Sequence, residues 1–375
     1  MKIAVNTRLL IKDKLEGIGW FSYETLRRLV EWMPETEFVF IFDRRPHPDF
    51  IFGDNVTPVV AHPQARHPLL WYLFFEYGVG AVLKKHRPDL FLSPDGWLCL
   101  RTDVKSLPVM HDLNFEVHPE FITPLTLRYY KTFFPRFAER ATRIATVSEF
   151  TKAELGRHYG VAPEKVDVVY NGINNRYEPL SEEAQEAVRA KYTGGAPFFL
   201  FVGLIHPRKN LKNQVAGFFE FRARVSETVK YVVVGETYSM EKGLRELIDS
   251  SPFGQDVVFL GRRGVRELAG LLGSALALTY VSHYEGFGIP IVEAMQAGTA
   301  VITADAASMP EVAGDAALLV SPRRPESIAE AMVRIFKDRA LREDLVTKGH
   351  ARRQVFHWDR TARLLRESVE RTVSG

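Results

Sequence analysis

The chain has a single cysteine, Cys99, among its 375 residues. One thiol cannot close an internal disulfide, nor can it build a cysteine-based zinc cage. An excess of one charge is also lacking, since 49 basic residues stand against 46 acidic ones for a net charge of +3. That balance is too small to argue for a nucleic-acid partner, although it leaves room for a local basic face. No apolar run reaches the ~20 residues of a membrane span. The longest, Leu69 to Leu83, is broken by Glu76. Low-complexity tracts and short-period repeats are absent too. The first residues, Met1 to Arg8, read as a strand followed by an arginine rather than as a signal peptide. With 46% hydrophobic and 25% charged residues, these absences leave a globular enzyme-like chain, with a reducing cytoplasm as the default compartment. Its length suggests two domains.

What the sequence does contain is alternation. Apolar, strand-like runs at 2–6, 37–42, 56–60, 90–92, 107–110, 144–147 and 166–169 are interleaved with helical patterns, among them 20–30, 69–85 and 149–159. Such alternation predicts a parallel sheet covered on both faces, with ligands at the carboxyl ends of its strands. Gly17 to Gly19, His111-Asp112, Ser148-Glu149 and Asn171-Gly172 fall at those ends, and strand 90–92 leads into Ser93-Pro-Asp-Gly96. From Asn174 to Pro197 the pattern lapses, which places an interdomain linker at 177–196. A second series follows, with strands at 198–202, 230–234, 257–260, 275–281, 300–303 and 317–320. The expected organisation is α/β: two doubly wound domains, 1–176 and 197–357. A last helix within 358–375 follows a second domain that is already complete.

The chemistry concentrates at Ser282 to Met295. Glu285 and Glu293 stand there with seven residues between them, spanning the breaker-rich run Gly286-Phe287-Gly288-Ile289-Pro290. Strand, glycine loop and helix N-terminus in that order gather free amides and the positive end of a helix dipole, a ready anion site. Helix starts also commonly carry glutamate, so the segment alone does not decide. Arg208 and Lys209 follow the first strand of the second domain, just before a helix. A guanidinium fork and an ammonium point charge suit a diphosphate, although basic pairs are often merely solvated. His111, at a strand end, suits a ligand hydroxyl or a structural bond to a backbone carbonyl. Gly17-Ile-Gly19 lacks the third glycine of a dinucleotide fingerprint and reads as a glycine loop facing a ligand or as a plain helix start. Leu69 to Lys85 reads as a core helix or as an interfacial helix for anionic lipid. No second His or Cys stands at metal-ligand spacing, so no metal site is expected.

Taken together, Gly17-Ile-Gly19, His111-Asp112, Val147 to Lys152, Val169 to Ile173, Gly203 to Asn210, the two-glutamate element with Ala297-Gly298, and Pro310 to Asp315 resemble glycosyltransferase family 4. The likeness runs almost end to end. It implies the GT-B fold: two Rossmann-like domains facing across a cleft, with the last helix crossing back to the first. It also implies a retaining, metal-independent transferase that needs no cofactor and uses a nucleotide-sugar donor. By resemblance, Glu293 holds the donor ribose and Glu285 the sugar hydroxyls. Gly203, Gly286 and the backbone at Phe287, Gly288 and Ile289 lie at the donor. Arg208 and Lys209 neutralise the diphosphate, His111 contacts the sugar, and the Gly17–Gly19 region faces a phosphate or the acceptor.

One departure is Leu204, where many relatives carry arginine; Arg208 directly before Lys209 takes its place. That Pro-Arg-Lys-Asn form resembles bacterial mannosyltransferases of surface polysaccharide assembly. The implied donor is therefore GDP-mannose, and the implied acceptor is a saccharide or a lipid-linked saccharide. The implied location is cytoplasmic, with peripheral contact at the inner face of the membrane as an option. A nucleotide-sugar epimerase of the same fold and a non-catalytic nucleotide-sugar-binding module are the alternatives.

Overall fold

The computed structural model describes residues 1–173, 176–237 and 242–375. Asn174 and Asn175, where the pattern lapses, lie outside the described residues. By its internal contacts the chain divides into two compact units, Met1–Gly172 with His357–Gly375, and Ile173–Phe356.

The first unit is built on seven parallel strands: β1 (Lys2–Asn6), β2 (Glu37–Phe42), β3 (Val56–Val60), β4 (Leu90–Ser93), β5 (Lys105–Met110), β6 (Ile144–Thr146) and β7 (Val166–Val168). Their order across the sheet is β3-β2-β1-β4-β5-β6-β7. Ile3, Ala4 and Val5 of β1 are fully buried, as are Phe38 to Ile41 of β2. Near-continuous apolar runs of this kind belong in strands covered on both faces. Pro58 lies in β3, an edge strand, where a missing amide costs no ladder bond to a further neighbour. The C-terminal helix Trp358–Ser374 belongs to this unit. It turns Trp358, Ala362, Leu365 and Val369 inward and packs on the helix Gly17–Trp32.

The second unit carries β8 (Phe198–Val202), β9 (Lys230–Val234), β10 (Val257–Gly261), β11 (Ala277–Tyr280), β12 (Ala300–Ala304) and β13 (Leu318–Val320). All are parallel, in the order β10-β9-β8-β11-β12-β13. The helix Glu182–Thr193, within the expected linker, packs on the helix Val265–Ser274 of this unit.

Three elements depart from the sequence pattern. Residues 69–85 form one rod in which a π-helical stretch, Phe74–Val79, interrupts the α-helices Pro68–Leu73 and Gly80–His86. Its inner positions, including Phe74, Phe75, Val79 and Leu83, are core, while Leu69 and Tyr77 are exposed. The helix Pro124–Arg140 lies outside the patterns read above, since its interior Pro135 and five aromatics argue against a helix locally. Gly17 and Gly19 lie inside the first turn of the helix Gly17–Trp32, not in a loop ahead of it. Among the described residues no helix is long and apolar enough to cross a membrane.

Candidate functional site

In the second sheet the strand order reverses between β8 and β11, the place where doubly wound sheets open a crevice beyond their strand ends. The loop after β8 and the loop after β11 meet there. Gly203, at φ +151°, turns the chain out of β8, and Gly235, at φ +154°, does the same for β9. A Cβ on Gly235 would fall 1.8 Å from the Gly203 carbonyl oxygen, so the close approach of the two strand ends requires glycine. A short 3₁₀ turn, Pro207–Lys209, then presents two cations. Asn210, left-handed at φ +58° and fully buried, donates its amide to the carbonyls of Val281 (2.9 Å) and Pro322 (2.7 Å). The His283 amide donates to the Arg208 carbonyl at 2.9 Å, which locks the two loops together.

On this scaffold Glu285 is held by both cations. Arg208 Nη1 donates to its Oε2 at 2.8 Å and to the Tyr284 carbonyl at 2.8 Å. Lys209 Nζ donates to Glu285 Oε1 at 2.7 Å and to the Tyr280 hydroxyl at 2.7 Å, and it lies over the Tyr280 ring. Burial by itself would raise the Glu285 carboxyl, but Arg208 and Lys209 overrule it and hold the group down at about 2. The carboxylate therefore stays ionised, and two cations face one acid. The loop beyond is fixed from below. Ser308, buried after β12, donates to the carbonyls of Glu285 (2.8 Å) and Phe287 (3.0 Å). The Phe287 ring is buried edge-on against Phe356, so what this loop offers a ligand is backbone rather than side chain. Gly288 caps the helix Ile289–Gln296 at φ +101°, a conformation that favours glycine. Glu293 sits within that helix, half-buried. Burial pushes its carboxyl up to about 7, partly offset by a hydrogen bond from the buried Tyr177 hydroxyl.

These features bring together Gly203, Arg208, Lys209, Glu285, Gly286, Phe287, Gly288, Ile289 and Glu293 on two adjoining loops and one helix. His111 and the Gly17–Gly19 turn lie in the first unit. His111 Nε2 donates to the Pro94 carbonyl at 2.7 Å, since that oxygen can only accept, and the ring stands edge-on to Phe21 at 5.1 Å. Burial lowers its pKa, which leaves a neutral imidazole whose Nδ1 is an acceptor. The Pro94 bond is the backbone-carbonyl partner expected of a structural histidine. Gly19 has a packing reason of its own, because a Cβ there would meet Leu15 Cδ2 and the Leu9 carbonyl at 3.2 Å. A cavity of about 680 Å³ among Glu116, Arg136, His158, Tyr159 and Lys165 holds none of these residues. Among the described residues no group of three or more His, Cys, Asp or Glu could hold a metal ion.

Two family descriptions match the chain: "Glycosyltransferase Family 4" over residues 16–176, and "Glycosyl transferases group 1" over residues 183–352. The chain belongs to the glycosyltransferases. Among curated relatives of this transferase, O-antigen chain mannosyltransferase B of Escherichia coli is 25% identical over 363 residues, covering 93% of this chain and 94% of the relative. An O-antigen chain mannosyltransferase of Salmonella typhimurium is 27% identical over 286 residues, covering 75% and 74%. In fold, the transferase is similar to sucrose-phosphate synthase of Thermosynechococcus elongatus, with a TM-score of 0.78 at 18% identity over 99% and 98% of the two chains. It is likewise similar to Anabaena HepE in complex with UDP and glucose, with a TM-score of 0.75 at 17% identity over 99% of each chain. The architecture of the transferase is GT-B.

Sequence reasoning passed over one cluster. Asn6, Arg8 and Asp95 join across the ends of β1 and β4. Their positions at strand ends were the available signal.

Proposed function

We propose that this glycosyltransferase moves a hexose, with retention of configuration, from a nucleotide sugar to a saccharide or lipid-linked saccharide acceptor. The observation that carries the reading is the Arg208–Lys209–Glu285 cluster at the point where the second sheet reverses, with Glu293 on the helix that follows. The donor diphosphate takes the two cations, which stabilise the charge that grows on the leaving group. Glu285, relieved of its partners, accepts from the sugar hydroxyls. Glu293 accepts from the ribose, and the backbone at Phe287, Gly288 and Ile289 lies against the sugar and phosphate. These groups supply the charge neutralisation, so the reaction is assigned no metal and no cofactor. Mannose from GDP-mannose is the leading donor, supported by the mannosyltransferase names of the relatives and by the Pro-Arg-Lys-Asn form of the loop. The exposed Leu69 and Tyr77, together with the exposed Lys84 and Lys85 on the same rod, suit contact with an anionic membrane surface carrying such an acceptor.

The test is a thermal-shift panel of nucleotides and nucleotide sugars. Ligand at a hundredfold excess over its Kd contributes about 2.7 kcal/mol, which for a unit of this size raises Tm by roughly 5–10 °C. GDP-mannose should give that shift and UDP-sugars little; the reverse pattern removes mannose. Full donor turnover in both Glu293→Ala and Lys209→Ala would remove the site assignment. NMR of the donor without acceptor separates transfer from epimerisation, which converts the donor alone.

A further inference from the structure

The first sheet repeats the second sheet's arrangement at its own reversal. Its order changes direction between β1 and β4, as the other does between β8 and β11. In the second unit a cation after the first strand meets an acid after the fourth; in the first unit Arg8 follows β1 and Asp95 follows β4. Arg8 Nε donates to Asp95 Oδ2 at 2.5 Å. The other carboxylate oxygen is filled by Asn6 Nδ2 (2.7 Å), Ser93 Oγ (3.1 Å) and the Trp97 amide (3.4 Å). Asp95 is thereby fixed, and it fixes Arg8 by Nε alone. The guanidinium lies over the Trp97 ring at 4.6 Å and beside Phe75 at 5.6 Å, which holds its plane. Neither Nη group has a hydrogen-bond partner among the described residues, yet neither is sealed from solvent. Only about a tenth of the Arg8 side chain is exposed. Water reaches both Nη groups in the free protein, and a ligand that displaces it meets a donor fork already oriented.

We infer that Arg8 presents its Nη fork to vicinal hydroxyls of the acceptor saccharide and is a specificity-determining residue of the transfer reaction. The inference rests on the reading of the chain as a transferase and names the class of ligand held by its first unit. Charge selects a neutral saccharide over a phosphate. Arg8 is already balanced by Asp95, and Tyr130 lies within electrostatic reach of Arg8, Asp95 and also Asp112, so an oxyanion would meet no net positive charge. In the second unit, two cations face one acid and a diphosphate is favoured. A sugar diol, by contrast, accepts from the fork and donates to carboxylate or imidazole nitrogen, and Asp112 and His111 follow β5, the neighbouring strand.

Saturation-transfer NMR on the full chain, without donor, tests this. The probes are methyl α- and β-glycosides of mannose, glucose, galactose and N-acetylglucosamine, with mannose 1-phosphate and glucose 1-phosphate as anionic comparators. At least one neutral glycoside should bind at millimolar concentration. Arg8→Lys, which keeps the charge but not the fork, should weaken it at least fivefold, and Arg339→Lys, at an exposed position of the second unit, should leave it within twofold. In turnover with that glycoside as acceptor, Arg8→Lys should raise the acceptor KM while the donor KM stays within twofold. The inference is overturned if no neutral glycoside binds or if binding ignores Arg8→Lys. It is also overturned if the phosphates bind tenfold tighter in an Arg208→Ala/Lys209→Ala background. Because no donor is needed, a failed donor panel beside an Arg8-dependent glycoside signal would remove the donor assignment alone.

Discussion

At the residue scale the two glutamates behave in opposite ways although burial pushes both carboxyls up. Glu285 has two cations against its oxygens and is held at about 2; Glu293 has only a tyrosine hydroxyl and rises to about 7. The cations decide the difference, since the more deeply buried of the two is the one held low. A carboxyl near 7 takes up a proton more readily in the folded chain than in the unfolded one. Its contribution to stability is thus full below about pH 4 and is lost as pH rises through about 7. Ligand binding runs the other way, since ribose hydroxyls need the ionised form as acceptor. Donor affinity should therefore increase about tenfold between about pH 6 and pH 8, and Glu293→Gln should flatten that dependence. Calorimetric titration across that range checks it, and a flat wild-type profile would contradict the ribose role.

At the scale of elements, most strands and the helices between them were legible because an apolar run and its breakers are local signals. The helix Pro124–Arg140 was not. Pro135 removes an amide inside it, and its aromatic residues favour strands when taken locally. Packing overrides this, since Phe134, Phe137 and Ala138 are buried in the first unit's core. The same holds for Gly172, read as a strand-end position. A Cβ there would lie 2.5 Å from the Trp358 backbone nitrogen and ring, so its lack of a side chain seats the C-terminal helix. Gly172→Ala should loosen that helix by about 2 kcal/mol, the usual scale of overpacking. Amide exchange within 358–374 should then speed up roughly thirtyfold, as measured by mass spectrometry. Unchanged protection would mean that the contact relaxes without cost.

At the scale of the whole molecule, the first unit is discontinuous in sequence, completed by residues 357–375 after the second unit has been built. Thr361 Oγ1 donates to the Tyr170 carbonyl at 2.8 Å, and Lys105 Nζ to the Val373 carbonyl at 2.7 Å, which ties the returning helix at both ends. Removing residues 357–375 would take Trp358, Leu365 and Val369 out of the core and expose the face of Gly17–Trp32 they cover, a loss of roughly 5 kcal/mol. That is a large share of the ~5–15 kcal/mol that holds an ordinary domain together. Limited proteolysis of the truncated chain should destroy 1–172 at temperatures where fragments of 173–356 survive; equal resistance of both would refute the dependence.

The sequence by itself determined the class of fold and the candidate donor residues. Alternating apolar runs force parallel sheets, and Arg208, Lys209, Glu285 and Glu293 each stand next to a strand end or helix start that marks them locally. What only the tertiary structure decided is pairing. The reversal of strand order brings β8 beside β11 and β1 beside β4, residues some seventy to ninety positions apart in the chain. That adjacency makes Glu285 the partner of both cations and Asp95 the partner of Arg8. Partners set ionisation and the direction of a side chain, and no window of sequence contains them both.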